Sequence, residues 1–207
     1  MAQKLKSEVR ARIVEAAEQV FADKGLPSAK MSDIAELAGI SAGNLYRYFP
    51  GKEALFDAIV DAEFVARFDA LLTRRVRALT HLPVAKRGSD MKPDGAALEM
   101  LEFFVAHRRR VVILLDRNGG SPFAGFESRF VERLVELTVA HLRARAGTRP
   151  LDALVPFTLT SIFHASRLAI VSILETHAER DDIERAFRAF WSFQLAGLAG
   201  FEAWVLE

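Results

Sequence analysis

Apolar residues in this chain return every three or four positions and rarely alternate, a period that predicts helix after helix and no sheet. Residues 11–26 (ARIVEAAEQVFADKGL) form the first clear helical pattern. Ile34, Leu37 and Ala38 form a second, short one, closed by Gly39, the residue best suited to a left-handed helix end. Ile40 then turns inward and Ser41 is placed to cap a third helix whose apolar residues, Leu45 and Phe49, lie one turn apart. Pro50 and Gly51 stop it. A long helix is predicted from Lys52 to Leu79, with Phe56, Ile59, Val60, Phe64, Phe68 and Leu71 near one stripe. The segment from His81 to Asp94, with Pro83, Lys86, Arg87, Gly88, Ser89, Asp90 and Pro93, reads as a mobile loop, and Asp94 is placed to cap the helix carrying Leu98, Leu101, Phe104 and Val105. Further helical stretches run through Val112 and Leu115 to Arg117, from Ala124 to Arg145, from Leu154 to Glu179, and from Asp181 to the end, where Asp181 and Glu184 have capping-box spacing. Asn118 to Pro122 is a turn, since no Gly-Lys-Ser follows its glycines.

Residues 34–52 (IAELAGISAGNLYRYFPGK) are the most informative stretch, because two short helices around a tight glycine turn are the layout of a helix-turn-helix. The second helix leaves Ser41, Asn44, Arg47 and Tyr48 on its outer side. Hydroxyl, amide, guanidinium and phenol groups on one short helix suit the major groove of DNA, where base edges offer donors and acceptors between flanking phosphates. Lys52 then stands in the first turn of the following helix, at the positive end of its dipole. A DNA phosphate held by the free N–H groups and the ammonium would resolve that conflict; Glu53 alone would also answer it.

Composition narrows the partners. A chain of 207 residues with 51% hydrophobic content can build a substantial core, in one domain or two small ones. Its formal net charge is only +1, so affinity for DNA has to come from locally concentrated cations. Lys4, Lys6, Arg10 and Arg12 crowd the N-terminus, as an arm that tracks phosphates would, or as a solvated tail. The absence of cysteine excludes disulfides and thiolate metal sites, and no stretch reads as a secretory leader or as long enough to span a bilayer. The expectation is a soluble, cytoplasmic protein without a membrane contact, cofactor or metal. No HExxH, GxSxG or nucleophilic cysteine occurs, so the chain is not expected to be an enzyme, and an all-α enzyme or small-molecule carrier without DNA binding is the competing class.

From Ile13 through Phe56 the chain resembles the DNA-binding domain of the TetR family of bacterial transcription regulators, on the helix ARIVEAAEQVFADKGL, the segment DIAELAGIS, the helix GNLYRYF and the opening KEALF. The resemblance implies an all-α protein with a three-helix helix-turn-helix domain, residues 1–52, ahead of a larger helical ligand-binding and dimerisation domain, residues 53–207. It implies phosphate contacts from Tyr46, Tyr48 and Lys52, and base-edge contacts from Ala42, Gly43, Asn44 and Arg47, with Ser41 beside them. The chain departs from the family where Thr or Ser opens the first helix of the motif: Ala29 and Lys30 stand there, between Ser28 and Ser32, so charge on Lys30 would replace a hydroxyl. Gly51 replaces a common serine cap.

The same resemblance makes the chain a ligand-responsive, dimeric regulator of a double-stranded DNA operator, a repressor released by a small and largely hydrophobic effector. The last two helices are apolar on more than one face, from Phe187, Phe190, Trp191 and Phe193 to Phe201 and Trp204, with Ala196, Gly197, Ala199 and Gly200 interleaved. Such helices suit a homodimer across a two-fold axis. Phe64, Phe68, Phe104, Phe123, Phe126 and Phe163 are candidate walls of the effector cavity. His107, His164 and Arg167 are its candidate polar contacts, the last two sharing a helix face. Coupling between the sites is expected through the helix that starts at Lys52.

Overall fold

A computed structural model describes residues 2–80 and 94–207; the loop expected from His81 onward, including Pro83, Lys86 and Pro93, lies outside the described residues, as does the Lys4 side chain. Ten helices and no strand occur among the described residues: α1 (Ala2–Ser28), α2 (Met31–Leu37), α3 (Ala42–Tyr48), α4 (Lys52–Ile59), α5 (Ala62–Thr80), α6 (Gly95–Ala106), α7 (Arg108–Asp116), α8 (Phe126–Ala146), α9 (Leu154–Thr176) and α10 (Arg180–Leu206). They divide into two compact units. The first comprises Met1–Val65 and Arg109–Glu127, and the second Ala66–Arg108 and Ser128–Glu207.

The first unit is built around Ile13, Ala17, Phe21, Ile34, Leu45, Leu55 and Phe56, all fully buried, with Phe21 and Phe56 rings 6.1 Å apart. The basic N-terminus is helical from residue 2 rather than an extended arm. Arg10 lies 5.1 Å above the Phe49 ring, and Arg12 donates to the Ala38 carbonyl at 2.7 Å, closing the end of α2. Gly25 breaks α1, because its φ of 73° and ψ of 159° belong to a region open essentially to glycine alone. The predicted helix from Lys52 to Leu79 is two helices. At the junction Val60 is extended, with φ −120° and ψ 94°, and the Asp61 carboxylate accepts the Phe64 N–H at 2.7 Å, starting α5 anew.

In the second unit a phenylalanine cluster fills the centre: Phe68 stacks on Phe103 at 5.8 Å and on Phe130 at 5.9 Å, while Phe104 stacks on Phe187 at 4.9 Å. Asp94 caps α6 by accepting the Ala97 N–H at 2.7 Å. The capping box expected at Asp181 and Glu184 does not form. α10 starts one residue earlier, and Glu184 accepts from Arg180 at 3.2 Å, which also grips Glu102 at 2.6 and 2.8 Å. One expectation about length is corrected too: α9 has 23 residues and a window of mean hydropathy 1.5, enough to cross a bilayer by length and composition alone. Val155, Leu159, Phe163, Ile170, Val171 and Leu174 of that helix are instead buried inside the unit.

Candidate functional site

The outward face of the first unit is created by how α2 ends and α3 begins. Gly39 has φ 66° and donates to the Glu36 carbonyl, and Ile40 donates to the Ala35 carbonyl, each at 3.0 Å. These two bonds satisfy the last carbonyls of α2 and fold the chain back within two residues. Ser41 then caps α3, its Oγ accepting the Asn44 N–H at 3.2 Å. Leu45 and Phe49 are buried, which rotates the opposite side of α3 outward. Ser41, Ala42, Gly43, Tyr46 and Arg47 are exposed, Tyr46 by 53%, while Asn44 and Tyr48 are half-buried at the edges. No side chain rises from Gly43, and nothing lies within 4 Å of where its Cβ would stand, so a flat surface could approach the backbone there.

Flanking this face, Lys30 is exposed and Ser32 donates to Asp33 at 3.4 Å. Lys24 holds Asp33 at 2.7 Å, and that hydrogen bond keeps the Asp33 carboxyl below the usual range. Lys52 behaves differently from its assigned role. Its ammonium donates to the carbonyls of Leu26, Pro27 and Ala29 at 2.8, 2.9 and 3.4 Å. An ammonium has three N–H donors, and the broken end of α1 offers three carbonyls, so Lys52 joins α4 to α1 instead of extending toward a phosphate.

The second unit encloses a cavity of about 140 Å³ among α5, α6, α8, α9 and α10, with mainly apolar walls such as Leu72, Met100, Leu134, Ile170 and Leu198. Three polar groups interrupt the apolar wall. Arg75, only 7% exposed, contacts Asp94 through Nη1 at 3.2 and 3.3 Å and sits 5.3 Å over the Trp191 ring. Burial pushes its guanidinium below the usual arginine value, and Asp94 partly opposes that. One turn along α10 from Trp191, Gln194 donates to the Ser166 hydroxyl at 2.6 Å, and Ser166 donates in turn to the Ile162 carbonyl at 2.8 Å. At the far end Glu202, 3% exposed, accepts from Arg145 Nε at 2.9 Å and faces His141 Nε2 at 3.2 Å. No group of three or more metal-ligating side chains occurs among the described residues.

Residues 13–59 match the family described as bacterial regulatory proteins, tetR family. The likeness to the tetR family thus lies in residues 13–59. Over 55 residues it is 44% identical to the HTH-type transcriptional regulator TtgR of Pseudomonas putida, covering 27% of this chain and 26% of that one. Over 51 residues it is 45% identical to the HTH-type transcriptional regulator UidR of Escherichia coli (strain K12), covering 25% and 26%. The matches thus span about a quarter of the length of these curated relatives. Across the whole fold it is similar to the probable transcriptional regulatory protein RHA5900, with a TM-score of 0.55, 19% identity, and 90% and 98% of the two chains covered.

Two of the nine residues expected around an effector line the cavity, Phe104 and Phe163. The other seven lie elsewhere. Phe68 is sealed in the aromatic cluster and Phe64 is buried in the first unit, where Phe126 is also buried and Phe123 half-buried. His107 caps the end of α6 with its ring edge 4.9 Å from Phe103. His164 points outward from α9, and Arg167 is half-buried beside Ser166 without lining the cavity. Arg75, His141, Gln194 and Glu202 were missed because packing between distant helices, and no local pattern, turns each of them toward the cavity. One signal was available: Arg75 falls on the stripe of Leu71, Leu72, Val76 and Leu79, where a surface charge would not be expected.

Proposed function

We propose that the chain is a dimeric, ligand-responsive DNA-binding regulator of the cytoplasm, a repressor released from its operator when a small molecule fills the cavity of the second unit. The observation that carries this is the exposed face of α3, where Tyr46 and Arg47 project from a helix fixed by the Gly39 turn and the Ser41 cap, within a TetR-family domain. Arg47 and Asn44 read base edges in the major groove, with Ala42 and Gly43 allowing close approach, and Ser41, Tyr46, Tyr48, Lys30 and Ser32 engage the backbone on either side. Lys52 contributes by fixing the head. No chemistry is required of the protein, and the relatives it matches are named as transcriptional regulators.

Dimerisation is supported by an apolar stripe along α10: Phe193, 81% exposed, then Ala196, Gly197, Gly200 and Trp204, at helical spacing. On α9, Leu154, Phe157 and Leu168 are exposed alongside His164. A monomer would leave this surface in water, and among the described residues no other part of the chain lies within 4 Å of where a Cβ would stand on Gly197 or Gly200, so a partner helix can approach closely. A second copy also supplies the second reading head that a half-site roughly 34 Å away needs.

Gel-shift titration against DNA from upstream of the chain's own coding sequence tests the reading. A specific, salt-sensitive complex of dimer mass is expected. Tyr46→Ala should weaken binding to every sequence and Arg47→Ala should also relax base preference. Binding of unrelated DNA with equal affinity, or none at all, would return the chain to the carrier class.

A further inference from the structure

Arg75 lines the cavity with only part of its hydrogen-bonding capacity used. Its guanidinium is buried in the cavity wall, and among the described residues only Nη1 hydrogen-bonds, to Asp94, at 3.2 and 3.3 Å. Charge-assisted bonds between nitrogen and carboxylate oxygen settle at about 2.7–2.9 Å, so this contact is loose. Asp94 is held more tightly elsewhere, by the Ala97 N–H at 2.7 Å. The Nε and Nη2 edge makes no hydrogen bond among the described residues. That edge presents two parallel N–H groups, the geometry that grips both oxygens of a carboxylate. Beside it lies a flat aromatic wall, Trp191 under the guanidinium and Phe104 lining the same cavity. The volume of about 140 Å³ is close to that of a dry cavity known to admit benzene.

We infer that the cavity takes a small aromatic carboxylate, its acid on the Nε and Nη2 edge of Arg75 and its ring among the apolar walls that include Phe104 and Phe163. This rests on the effector reading above and names the chemical class of the effector. Asp94 stays on Nη1 when the ligand binds, so it disfavours the incoming negative charge and sets the affinity; Arg75 supplies recognition. The pair of Gln194 and Ser166, farther along α10, already satisfies itself and adds no anion contact.

The test is calorimetric titration of the full-length protein with benzoate and with benzamide, which has the same shape and no charge. Benzoate should bind at least about 10-fold more tightly than benzamide. Arg75→Gln should weaken benzoate by about 10- to 100-fold and benzamide by less. Asp94→Asn keeps a good helix cap and removes the opposing charge, so it should tighten benzoate. Thermal melts of each variant separate lost binding from lost folding. Benzamide matching benzoate, Arg75→Gln binding benzoate as the parent does, a folded Asp94→Asn protein with weakened benzoate binding, or no benzoate binding by the parent would each overturn the inference. Gel shifts on the same preparations separate the two readings. A specific DNA complex without benzoate binding sinks the effector class alone, whereas benzoate binding without a DNA complex sinks the regulator alone.

Discussion

The neighbourhood of the helix-turn-helix and the wall of the cavity handle inward-facing charge in opposite ways. In the first, cations reach back to backbone carbonyls: Arg12 to Ala38, and Lys52 to Leu26, Pro27 and Ala29. Each satisfies a helix end, and the result is a rigid scaffold around a short polar face. In the second, charges meet one another along the cavity wall, Arg75 with Asp94 and Glu202 with His141 and Arg145. Paired charges beside a void remain available to a ligand, whereas charges bound to backbone ends do not. The head is thus built for fixed geometry, whereas the second unit keeps paired charge beside an open space.

That contrast can be broken most forcefully at the aromatic centre. Phe68→Ala removes a fully buried ring stacked on Phe103 and Phe130, and should cost about 3–5 kcal/mol of stability in denaturant melts. A small loss paired with altered ligand affinity would return Phe68 to the cavity wall. In the head, Lys52→Ala should cost about 2 kcal/mol by stranding the carbonyls at the end of α1. Its melting temperature should fall even without DNA, a result that a pure phosphate contact would not give. Gly25→Ala forces a Cβ into the glycine-only region and should cost about 1–3 kcal/mol.

The smallest effect concerns surface charge. Arg180 holds the Glu102 carboxyl below its ordinary value of 4.5, chiefly by direct hydrogen bonds. A carboxyl depressed in the folded state stabilises the fold above its unfolded pKa, and that contribution disappears as pH falls through the folded value. Glu102→Gln should therefore be slightly less stable than the parent at pH 7 and indistinguishable from it in strong acid. Because the pair lies at the surface, added salt should shrink the difference.

The head was legible in the sequence because its determinants are local. The Gly39 turn, the Ser41 cap and the inward Leu45 and Phe49 lie within eleven residues, and the period alone orients them. The break at Val60 was less visible: apolar residues continue through Phe64 and Phe68, and only Asp61, a residue equally at home on a helix surface, interrupts the helix. The cavity was nearly illegible. Its polar contacts come from α5, α8, α9 and α10, and periodicity cannot tell a phenylalanine that fills a core, such as Phe68, from one that borders a space, such as Phe104. Partnership between distant residues decides that, as with Arg75 and Trp191.

Lys52 has a topological consequence. By binding the carbonyl of Leu26, 26 residues earlier, its single nitrogen cinches the chain into a ring that contains both α2 and α3. Clamping the neck of that ring removes configurational freedom from everything inside it at once, so the exposed face of α3 is stiffened by an atom that never needs to touch it. Neutralising one amine would loosen the whole ring while leaving every residue of the exposed face chemically intact.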